Sequence, residues 1–572
     1  MNNREIAEIF ERIADLLEIK GEIIYKTLAY RRAAESIRLQ TSEVAGLSQK
    51  ELKEIPAVGQ AIAEKIEELH STGKLKFFQE LEKEVPPTLV DLLKVPDLGP
   101  KKAALFWKQL NITSLDELER AARSNQLSGL PGMGEKSQAH ILAGIERLRQ
   151  QKRRLSIHKA LPIAEKWLEK IKAIPHLQKV EITGSLRRWK TSIGDLDFVG
   201  ATKKPAEVMK AFLAQEGIHE VLSQGDAKTS VVTEDGLNLQ LWLQPPERFG
   251  SLLQFVTGSK EHNVRLREYA IKQGLSLSER GFLDKDLKEI LCPKEEDVYQ
   301  KLGLKFIPPE MREDRGEISA AIEKRLPHLI TLEDMRADLH IHTNWTDARA
   351  SMEEMVQAAI QQGLKLLAIT DHSHTTTRVN GLNARRWQDQ AVAVQSLREK
   401  YGKDITILHG LETEIKADGS LDTSDDVLAQ MDIVLISLHE DFGQPREVIT
   451  RRLLKAMRHP QVDILAHPAG RELPRTEGID LDWEQVYAAA RENQVAMEID
   501  SNPVHFDLDE VHARQAVERG VLLSIDTDAH ATHKLDHLKF GVAIARRAWV
   551  EKASVLNTWP TEKLLDWLKN RR

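Results

Sequence analysis

The C-terminal half of the chain repeats one pattern seven times, and each repeat is a short apolar run that ends in polar side chains. In chain order the runs are ADLHIHT, LLAITDHS, ITILHGLETEI, IVLISLH, DILAHP, VAMEIDSN and LLSIDTDAH, the first of which begins at Ala337. Stretches with helical spacing of apolar residues separate these runs. Because strands that alternate with helices form parallel sheets, seven such units predict a βα barrel over residues 337–572.

Metal-binding side chains gather where these predicted strands end. In βα barrels the C-terminal ends of the strands meet at one face, and the chemistry takes place there. Of the 20 histidines in the chain, 14 follow residue 326. Imidazole and carboxylate groups suit zinc, manganese and iron. The sequence therefore predicts a divalent-metal centre, with these candidate ligands: His340, His342, Asp347, His372, Glu412, His439, His467, Asp528 and His530.

The motifs DLHIHT, TDHS, GLETEI, SLH, LAHP and DTDAH resemble, in order, those of the PHP (polymerase and histidinol phosphatase) domain. This resemblance implies three clustered metals (manganese, zinc or iron) that activate water for attack on phosphorus. It implies three ligand sets: His340, His342, Glu412 and Asp528; Glu412, His439 and His467; and Asp347, His372 and His530. Near these motifs, Arg378 and Arg471 are each either a phosphate ligand or a surface salt-bridge partner.

Residues 1–150 have the three- and four-residue apolar spacing of short helices. Three similar turns interrupt them, IPAVG at 55–59, VPDLG at 95–99 and LPGMG at 130–134. Repeated turns between helices are typical of helix-hairpin-helix units, in which glycine lets backbone amides approach a phosphate. We expect this region to bind the DNA backbone, although such turns can also be purely structural.

Strands and helices alternate between residues 155 and 304. The run GSLRR begins at Gly184, and GDLDF begins at Gly194, with eight residues between Ser185 and Gly194. Asp195 and Asp197 share one face of a predicted strand, so that they can bind two divalent metals. The Gly-Ser turn and Arg188 can hold the triphosphate of a nucleotide. The combination predicts nucleotidyl transfer.

The elements AYRRAAESI, GSLRR, GDLDF and TGSKEHN, together with the hairpins, resemble the family X DNA polymerases. The resemblance implies catalytic roles for Asp195 and Asp197, with magnesium or manganese and a deoxynucleoside triphosphate. The residues it assigns to nucleotide binding are Gly184, Ser185, Arg188, Gly194, Thr257, Gly258 and Asn263. It also places a lyase nucleophile at Lys65, which can otherwise be a solvated helix lysine. Nearby Tyr30 and Arg31 are candidates for contact with DNA.

The chain departs from the family pattern at several palm positions, of which one matters most. The family has a third metal-binding aspartate on a neighbouring strand, where this chain has Gln240, and Trp242 replaces the arginine that follows. Phe255-Val256 stands where the family usually has Tyr-Phe. A glutamine carries no charge and cannot act as a base, so we expect DNA synthesis to be strongly impaired.

These patterns predict a multidomain α+β and α/β protein with a helical helix-hairpin-helix region, a nucleotidyltransferase-type palm and a seven-stranded PHP barrel. The expected segments are a lyase-like domain (1–90), fingers (91–154), palm (155–240), thumb (241–304), linker (305–336) and barrel (337–572).

The expected activity is 3′–5′ exonuclease action on gapped, nicked or frayed DNA, with AP endonuclease action also open. Three alternatives remain: a gap-filling polymerase with proofreading, a DNA-binding scaffold with structural metals, and a phosphatase of small esters. The lone Cys292, the absence of a signal peptide and the lack of an apolar run of about 20 residues indicate a cytoplasmic, nucleoid-associated bacterial protein. No membrane or obligate protein partner is expected.

Overall fold

The computed structural model describes residues 3–38, 44–55, 57–95, 98–152, 154–373, 380–473, 476 and 478–571. The chain divides into two units, Met1–Arg153 and Arg154–Arg572. In the described part of the first unit the helices are α1 (Asn3–Lys20), α2 (Ile24–Arg38), α3 (Gln49–Leu52), α4 (Gln60–Thr72), α5 (Lys76–Glu84), α6 (Leu89–Leu92), α7 (Pro100–Leu110), α8 (Leu115–Arg123) and α9 (Glu135–Lys152). Their apolar faces form one core.

The three predicted hairpins precede α4, α7 and α9. In each hairpin a backbone N–H donates across the turn, from Val58 to Ile55, from Leu98 to Val95 and from Met133 to Leu130, at 3.0–3.1 Å. The glycine that follows each turn has open space where a Cβ would stand: Gly59, Gly99 and Gly134. The backbone at these helix starts is thus accessible to a phosphate. Pro56, Pro96 and Asp97 of these motifs lie outside the described residues.

The second unit begins with a mixed α/β region. Its strands are β1 (Leu155–Ser156), β2 (Lys179–Ile182), β3 (Ser192–Ile193), β4 (Asp195–Ala201), β5 (Ile218–Ser223), β6 (Lys228–Thr233), β7 (Asn238–Gln244), β8 (Ser276–Ser278), β9 (Gly281–Leu283) and β10 (Glu289–Ile290). Its helices are α10 (Ile157–Lys172), α11 (Gly184–Arg187), α12 (Pro205–Leu213), α13 (Phe249–Thr257), α14 (Lys260–Lys272), α15 (Glu295–Lys301) and α16 (Glu317–Ile322). Five strands form a sheet in the order β2-β4-β7-β6-β5, with β4 and β7 parallel.

The barrel follows, and the prediction of seven parallel strands is confirmed. The strands are β11 (Ala337–Ile341), β12 (Leu366–Ile369), β13 (Thr406–Glu414), β14 (Ile433–Ser437), β15 (Ile464–Leu465), β16 (Ala496–Asp500) and β17 (Leu523–Asp526). They pair in chain order, and a bridge from Ile341 to Ala529 joins the first strand to the end of the last. The helices are α17 (Met352–Gln361), α18 (Ala384–Tyr401), α19 (Asp425–Leu428), α20 (Arg446–Met457), α21 (Trp483–Glu492), α22 (Glu510–Glu518), α23 (Leu538–Arg547) and α24 (Thr561–Arg571).

A single apolar cluster runs from the five-stranded sheet into the barrel. At this junction the rings of Trp189 and Phe540 meet edge to face, with centroids 6.3 Å apart. Arg547, which is 2% exposed, donates to the carbonyl of Arg188 at 2.7 Å and to Glu510 at 2.8 Å. The palm sheet and the barrel therefore share one core.

The segment 305–336, which the sequence predicts as a linker, is folded and packed. Arg312 is fully buried, and it pairs with Glu295 at 2.6 Å. Glu317 accepts from His262 at 2.6 Å, and Glu310 pairs with Arg546 of α23 at 2.7 Å. Its dense charge, which suggests solvent exposure, belongs to ion pairs inside the protein. The strand β7 likewise continues past the expected palm boundary at residue 240.

Replacing Glu295 by glutamine is expected to lower the free energy of unfolding by about 3–5 kcal/mol, because it leaves the buried Arg312 unpaired. Burial alone would raise the pKa of Glu295, but the Arg312 and Arg187 guanidiniums lower it to about 2. The pair therefore stabilises the fold above the ordinary glutamate pKa of 4.5, and this stability is lost as the pH falls towards 2.

Denaturant titration at pH 7 and at pH 3 measures both effects. The matched control is Glu289→Gln, since Glu289 pairs with Arg248 at 2.7 Å but is 52% exposed. That change should cost no more than about 1 kcal/mol. Equal losses for the two variants would contradict the assignment.

Candidate metal centre and palm site

All nine predicted metal ligands meet at the C-terminal face of the barrel. His340 lies on β11 and Glu412 on β13, and the other seven follow the ends of their strands. His467 and Asp528 adopt positive φ angles of 27° and 46°, which cost of order 1 kcal/mol each for such residues. The barrel thus imposes a strained backbone in order to aim two of these side chains.

Glu412 is the hub of the centre. Its Oε2 lies 3.5 Å from Nε2 of both His340 and His342, and 2.9 Å from Nδ1 of His372. Its Oε1 lies 2.9 Å from Nε2 of His467 and 3.6 Å from Nε2 of His439. A carboxylate between five imidazoles can bridge cations through its two oxygens.

The remaining ligands complete a second side of the centre. Asp347 Oδ2 lies 3.2 Å from His530 Nε2 and 3.8 Å from His372 Nε2. Asp528 Oδ1 lies 3.1 Å from His342 Nε2. The described residues contain groups in which one ligand atom from each member lies within 4.8 Å of the others; they include His342, Asp347, His372 and His530; His340, His342 and Glu412; and His372, Glu412 and His439.

The hydrogen bonds behind the ligands fit metal binding. Nδ1 of His340 faces Glu498 at 2.8 Å, Nδ1 of His439 faces Glu414 at 2.9 Å, and Nδ1 of His530 faces the Asp528 carbonyl at 2.8 Å. An acceptor at Nδ1 fixes the proton there and leaves the Nε2 lone pair for a metal. Nε2 of His340 and Nε2 of His342 stand only 3.1 Å apart, an arrangement that suits a shared cation.

Sequence reasoning missed Glu414 and Glu498. Glu414 lies two residues after Glu412, so the two-residue period of a strand could have placed it near the centre. Glu498 is fully buried in the middle of β16, within an apolar run like those that supplied the ligands. Both carboxylates stand behind ligands and orient imidazoles.

Electrostatics separates the histidines into two groups. Burial, helped by neighbouring His372 and His530, lowers the pKa of His342 to about 3, so its lone pair is free at neutral pH. Burial opposes the charged form of His340, but the Glu498 and Glu412 carboxylates raise its pKa well above the ordinary value. The centre thus attracts positive charge, which a divalent metal can supply in place of a proton.

A cleft of about 860 Å³ opens onto these ligands. Arg471 lines it, is 8% exposed, and donates from Nη1 to the Phe506 carbonyl at 2.7 Å. This position in the cleft is the one that a contact with phosphate requires. Arg378 lies outside the described residues.

In the palm, Asp195 and Asp197 lie on β4 beside Gln240 of β7. Asp197 pairs with Gln240 in the parallel register, and Gln240 Nε2 donates to Asp195 Oδ2 at 3.3 Å. A side chain at Gly184, which has a φ of 61°, would collide with the Asp197 carboxylate. Burial, followed by the Asp195 charge, raises the pKa of Asp197 to about 8. Two carboxylates and an amide therefore occupy one half-buried corner.

Trp242 takes part in a different contact. Nζ of Lys228 on β6 lies 4.1 Å above its ring, and the two residues are register partners. The Lys228 charge acts on both aspartates, lowering their pKa values against the larger effect of burial. A cation therefore stands near the acidic pair on this face.

The predicted nucleotide-binding residues are brought together only in part. Arg188 Nη1 donates to the Thr257 carbonyl at 2.5 Å, and a Cβ on Gly258 would lie 3.2 Å from that nitrogen. However, Arg188 is largely buried, and its Nε donates to Glu313 at 3.0 Å. A triphosphate would have to compete with that carboxylate.

Three further residues of this set have other surroundings. Asn263 donates to the Phe255 carbonyl and accepts from Gln254, both at 2.7 Å, so its amide is engaged within the helical region. The buried Ser185 hydroxyl has no hydrogen-bond partner among the described residues. A Cβ on Gly194 would lie 3.1 Å from an Arg154 nitrogen.

Lys65 lies half-buried on α4 in the first unit. Its Nζ donates to the Ala61 carbonyl at 3.2 Å and stands 5.1 Å from the centroid of the Phe77 ring. The Tyr30 ring stacks with the Phe77 ring, with centroids 6.0 Å apart, and Tyr30 is only 6% exposed. Arg31 is more exposed and pairs with acidic residues of α1. The burial of Tyr30 argues against its predicted DNA contact.

None of the helices in the described residues combines the length and the apolar character that a membrane span requires.

Comparison with known proteins agrees with this architecture. Family models match for a helix-hairpin-helix domain (residues 1–75), a SAM-like helix-hairpin-helix tandem (89–146), a DNA polymerase beta thumb (252–313) and a PHP domain (338–500). Asp528 and His530 follow the end of the PHP match.

Among curated proteins, DNA polymerase/3′-5′ exonuclease PolX of Bacillus subtilis is 37% identical over 575 residues, which cover 100% of both chains. A probable phosphatase of Thermoanaerobacter sp. is 28% identical over 246 residues, 41% of this chain and 95% of the relative. A probable phosphatase of Shewanella sediminis is 30% identical over 244 residues, 41% of this chain and 94% of the relative.

Proposed function

The chain belongs to the PolX family of bacterial DNA polymerases and 3′–5′ exonucleases, and on this premise we propose that its barrel removes nucleotides from the 3′ ends of DNA under repair. The observation that carries the proposal is the convergence of nine ligands, with Glu412 as their hub, at the base of an open cleft. The full-length similarity to a relative named for both activities supports DNA as the substrate.

We assign three divalent ions to the centre, in the ligand sets that the sequence predicts. When bound, they supply an activated water and neutralise charge on the phosphate. The chain's own residues hold and aim this machinery: Glu498 and Glu414 fix the imidazoles of His340 and His439. Arg471 lines the same cleft, where its guanidinium can contact a phosphate oxygen.

We further propose that the palm synthesises DNA poorly or not at all. Transfer by two metals needs a carboxylate that binds the ion at the primer 3′-hydroxyl, and Gln240 is neutral. Its amide already donates to Asp195, which supports a role in holding that side chain without metal. A deoxynucleoside triphosphate with magnesium or manganese can still bind at Asp195 and Asp197.

The first unit is assigned to DNA binding, with the backbone of gapped, nicked or frayed DNA as its ligand. The open glycines at the starts of α4, α7 and α9 support this role. Lyase action by Lys65 and AP endonuclease action by the barrel are secondary proposals, as is a cytoplasmic, nucleoid-associated location. For the lyase, Lys65 has an accessible amine on a described helix, which can form a Schiff base with an abasic aldehyde.

A labelled-primer experiment tests the main proposal. A gapped duplex with a 5′-labelled primer is incubated with manganese and either the wild-type protein or His342→Ala. We expect stepwise shortening by wild type and none by the variant, because His342 contributes a neutral imidazole to the centre. An intact primer with wild type, in the presence of bound metal, would instead favour a scaffold with structural metals.

A second candidate function rests on the barrel's similarity to the probable phosphatases. If the barrel were a phosphatase of small esters, activity on p-nitrophenyl phosphate would exceed activity on DNA and would survive deletion of the first unit. A preference for DNA ends that requires residues 1–153 favours the nuclease.

A further inference from the structure

The two walls of the metal cleft differ in chemistry. The loops after β11 and β17 contribute Arg349 and Lys534 to one wall, and the loops after β14 and β15 contribute Phe442 and Ile479 to the other. In the strand order of the barrel, β11 and β17 are neighbours and β14 lies farthest from them. A cationic wall therefore faces a second wall across the metal ligands. The second wall, called the apolar wall for Phe442 and Ile479, also carries Arg471.

The apolar wall depends on the lack of a side chain at Gly470. Gly470 has a φ of 57°, and a Cβ there would lie 3.0 Å from Phe442 Cε1 and 3.2 Å from Ile479 Cδ1. The absence of a side chain at Gly470 thus lets the ring and the isoleucine close over the same backbone. Leu438 extends this surface into the cleft. The Phe442 residue nevertheless stays 45% exposed, so a flat group can lie against it.

We propose that Phe442 and Ile479 form a stacking subsite for the base of the 3′-terminal nucleotide, while Arg349 and Lys534 hold phosphates of the retained strand. The inference rests on the proposed nuclease function and adds how that site recognises a strand end. An aromatic ring stacks on any base, so this subsite suits an enzyme that removes all four nucleotides. The cationic side chains opposite the stacking subsite can form charge-assisted hydrogen bonds with these phosphates.

The test compares two primers in the same gapped duplex with manganese, one ending in a natural thymidine and one ending in a tetrahydrofuran that lacks a base. The measured quantity is the single-turnover rate of removal of the terminal thymidine divided by the rate of removal of the terminal tetrahydrofuran. Stacking on one aromatic ring predicts a wild-type ratio of about 5 to 100. Phe442→Ala should reduce the ratio to about 1, and Phe442→Trp should retain it.

Val504→Ala is the matched control, because Val504 is also an exposed apolar residue at 46% but does not line the cleft. Its ratio should equal that of wild type. Since each ratio is taken within one variant, partial loss of folded protein does not change it. A wild-type ratio near 1, or a ratio that survives Phe442→Ala, overturns the stacking subsite alone. Failure of wild type to shorten either primer overturns the nuclease function and this inference with it.

Discussion

Replacing Glu412 by glutamine is expected to lower the rate of 3′-nucleotide removal by about 1,000-fold or more. Both oxygens of this carboxylate face imidazoles, three on one side and two on the other. An amide has one acceptor oxygen, carries no charge, and points N–H donors at the nitrogens on its other side. The metals supply several kcal/mol of catalysis, so loss of the hub removes most of the rate.

The measurements are single-turnover digestion of a labelled primer and the metal content of the purified protein. Glu399→Gln is the control, because it removes an exposed carboxylate of α18 that lies outside the cleft. Metal content should fall in Glu412→Gln and stay constant in Glu399→Gln. Full nuclease activity in Glu412→Gln would contradict the role of Glu412 as the hub of a catalytic metal centre.

Replacing Gln240 by aspartate is expected to raise the rate of DNA synthesis by about 100-fold or more over wild type. The change places a third carboxylate beside Asp195 and Asp197, in the register that the parallel pairing of β4 and β7 fixes. Three carboxylates repel one another in a half-buried corner until cations bind. The variant should therefore be less stable than wild type without metal and recover when manganese is added.

Primer extension with all four deoxynucleotides measures the gain, and thermal unfolding with and without manganese measures the stability. His342→Ala in the background of every variant prevents the nuclease from hiding extension products. Gln240→Asn serves as the control, since it shortens the side chain without adding charge. Efficient synthesis by the wild-type palm would show that an amide at this position is tolerated.

The predicted metal ligands could be identified from the sequence because their positions follow two local rules. The strand period placed His340 and His342, and the convergence of strand ends in a barrel collected residues as distant as Asp347 and His530. Gln240 was identified by comparison with the family pattern, and the parallel pairing of β4 and β7 places it beside Asp197. These predictions depended on strand identity and not on the packing of particular side chains.

Contacts with partners that are distant in the sequence could not be predicted. The carboxylate that engages Arg188 comes from Glu313, 125 residues later, within a segment whose composition indicates a linker. Tyr30 lies in a motif associated with DNA contact, yet its ring packs against Phe77. In both cases local composition indicates exposure, whereas tertiary packing supplies a partner that spacing alone does not specify.

Because the palm and the barrel share one core, neither region is expected to fold as a separate fragment. Trp189 and Phe540 meet inside one apolar cluster, and Arg547 is buried between the two regions. Cutting the chain between them would expose both surfaces to water, so neither fragment should retain the native fold by itself. A palm with little synthetic activity would then still be needed to bury the apolar surface of the barrel that packs against it. Selection for nuclease activity would therefore preserve the palm.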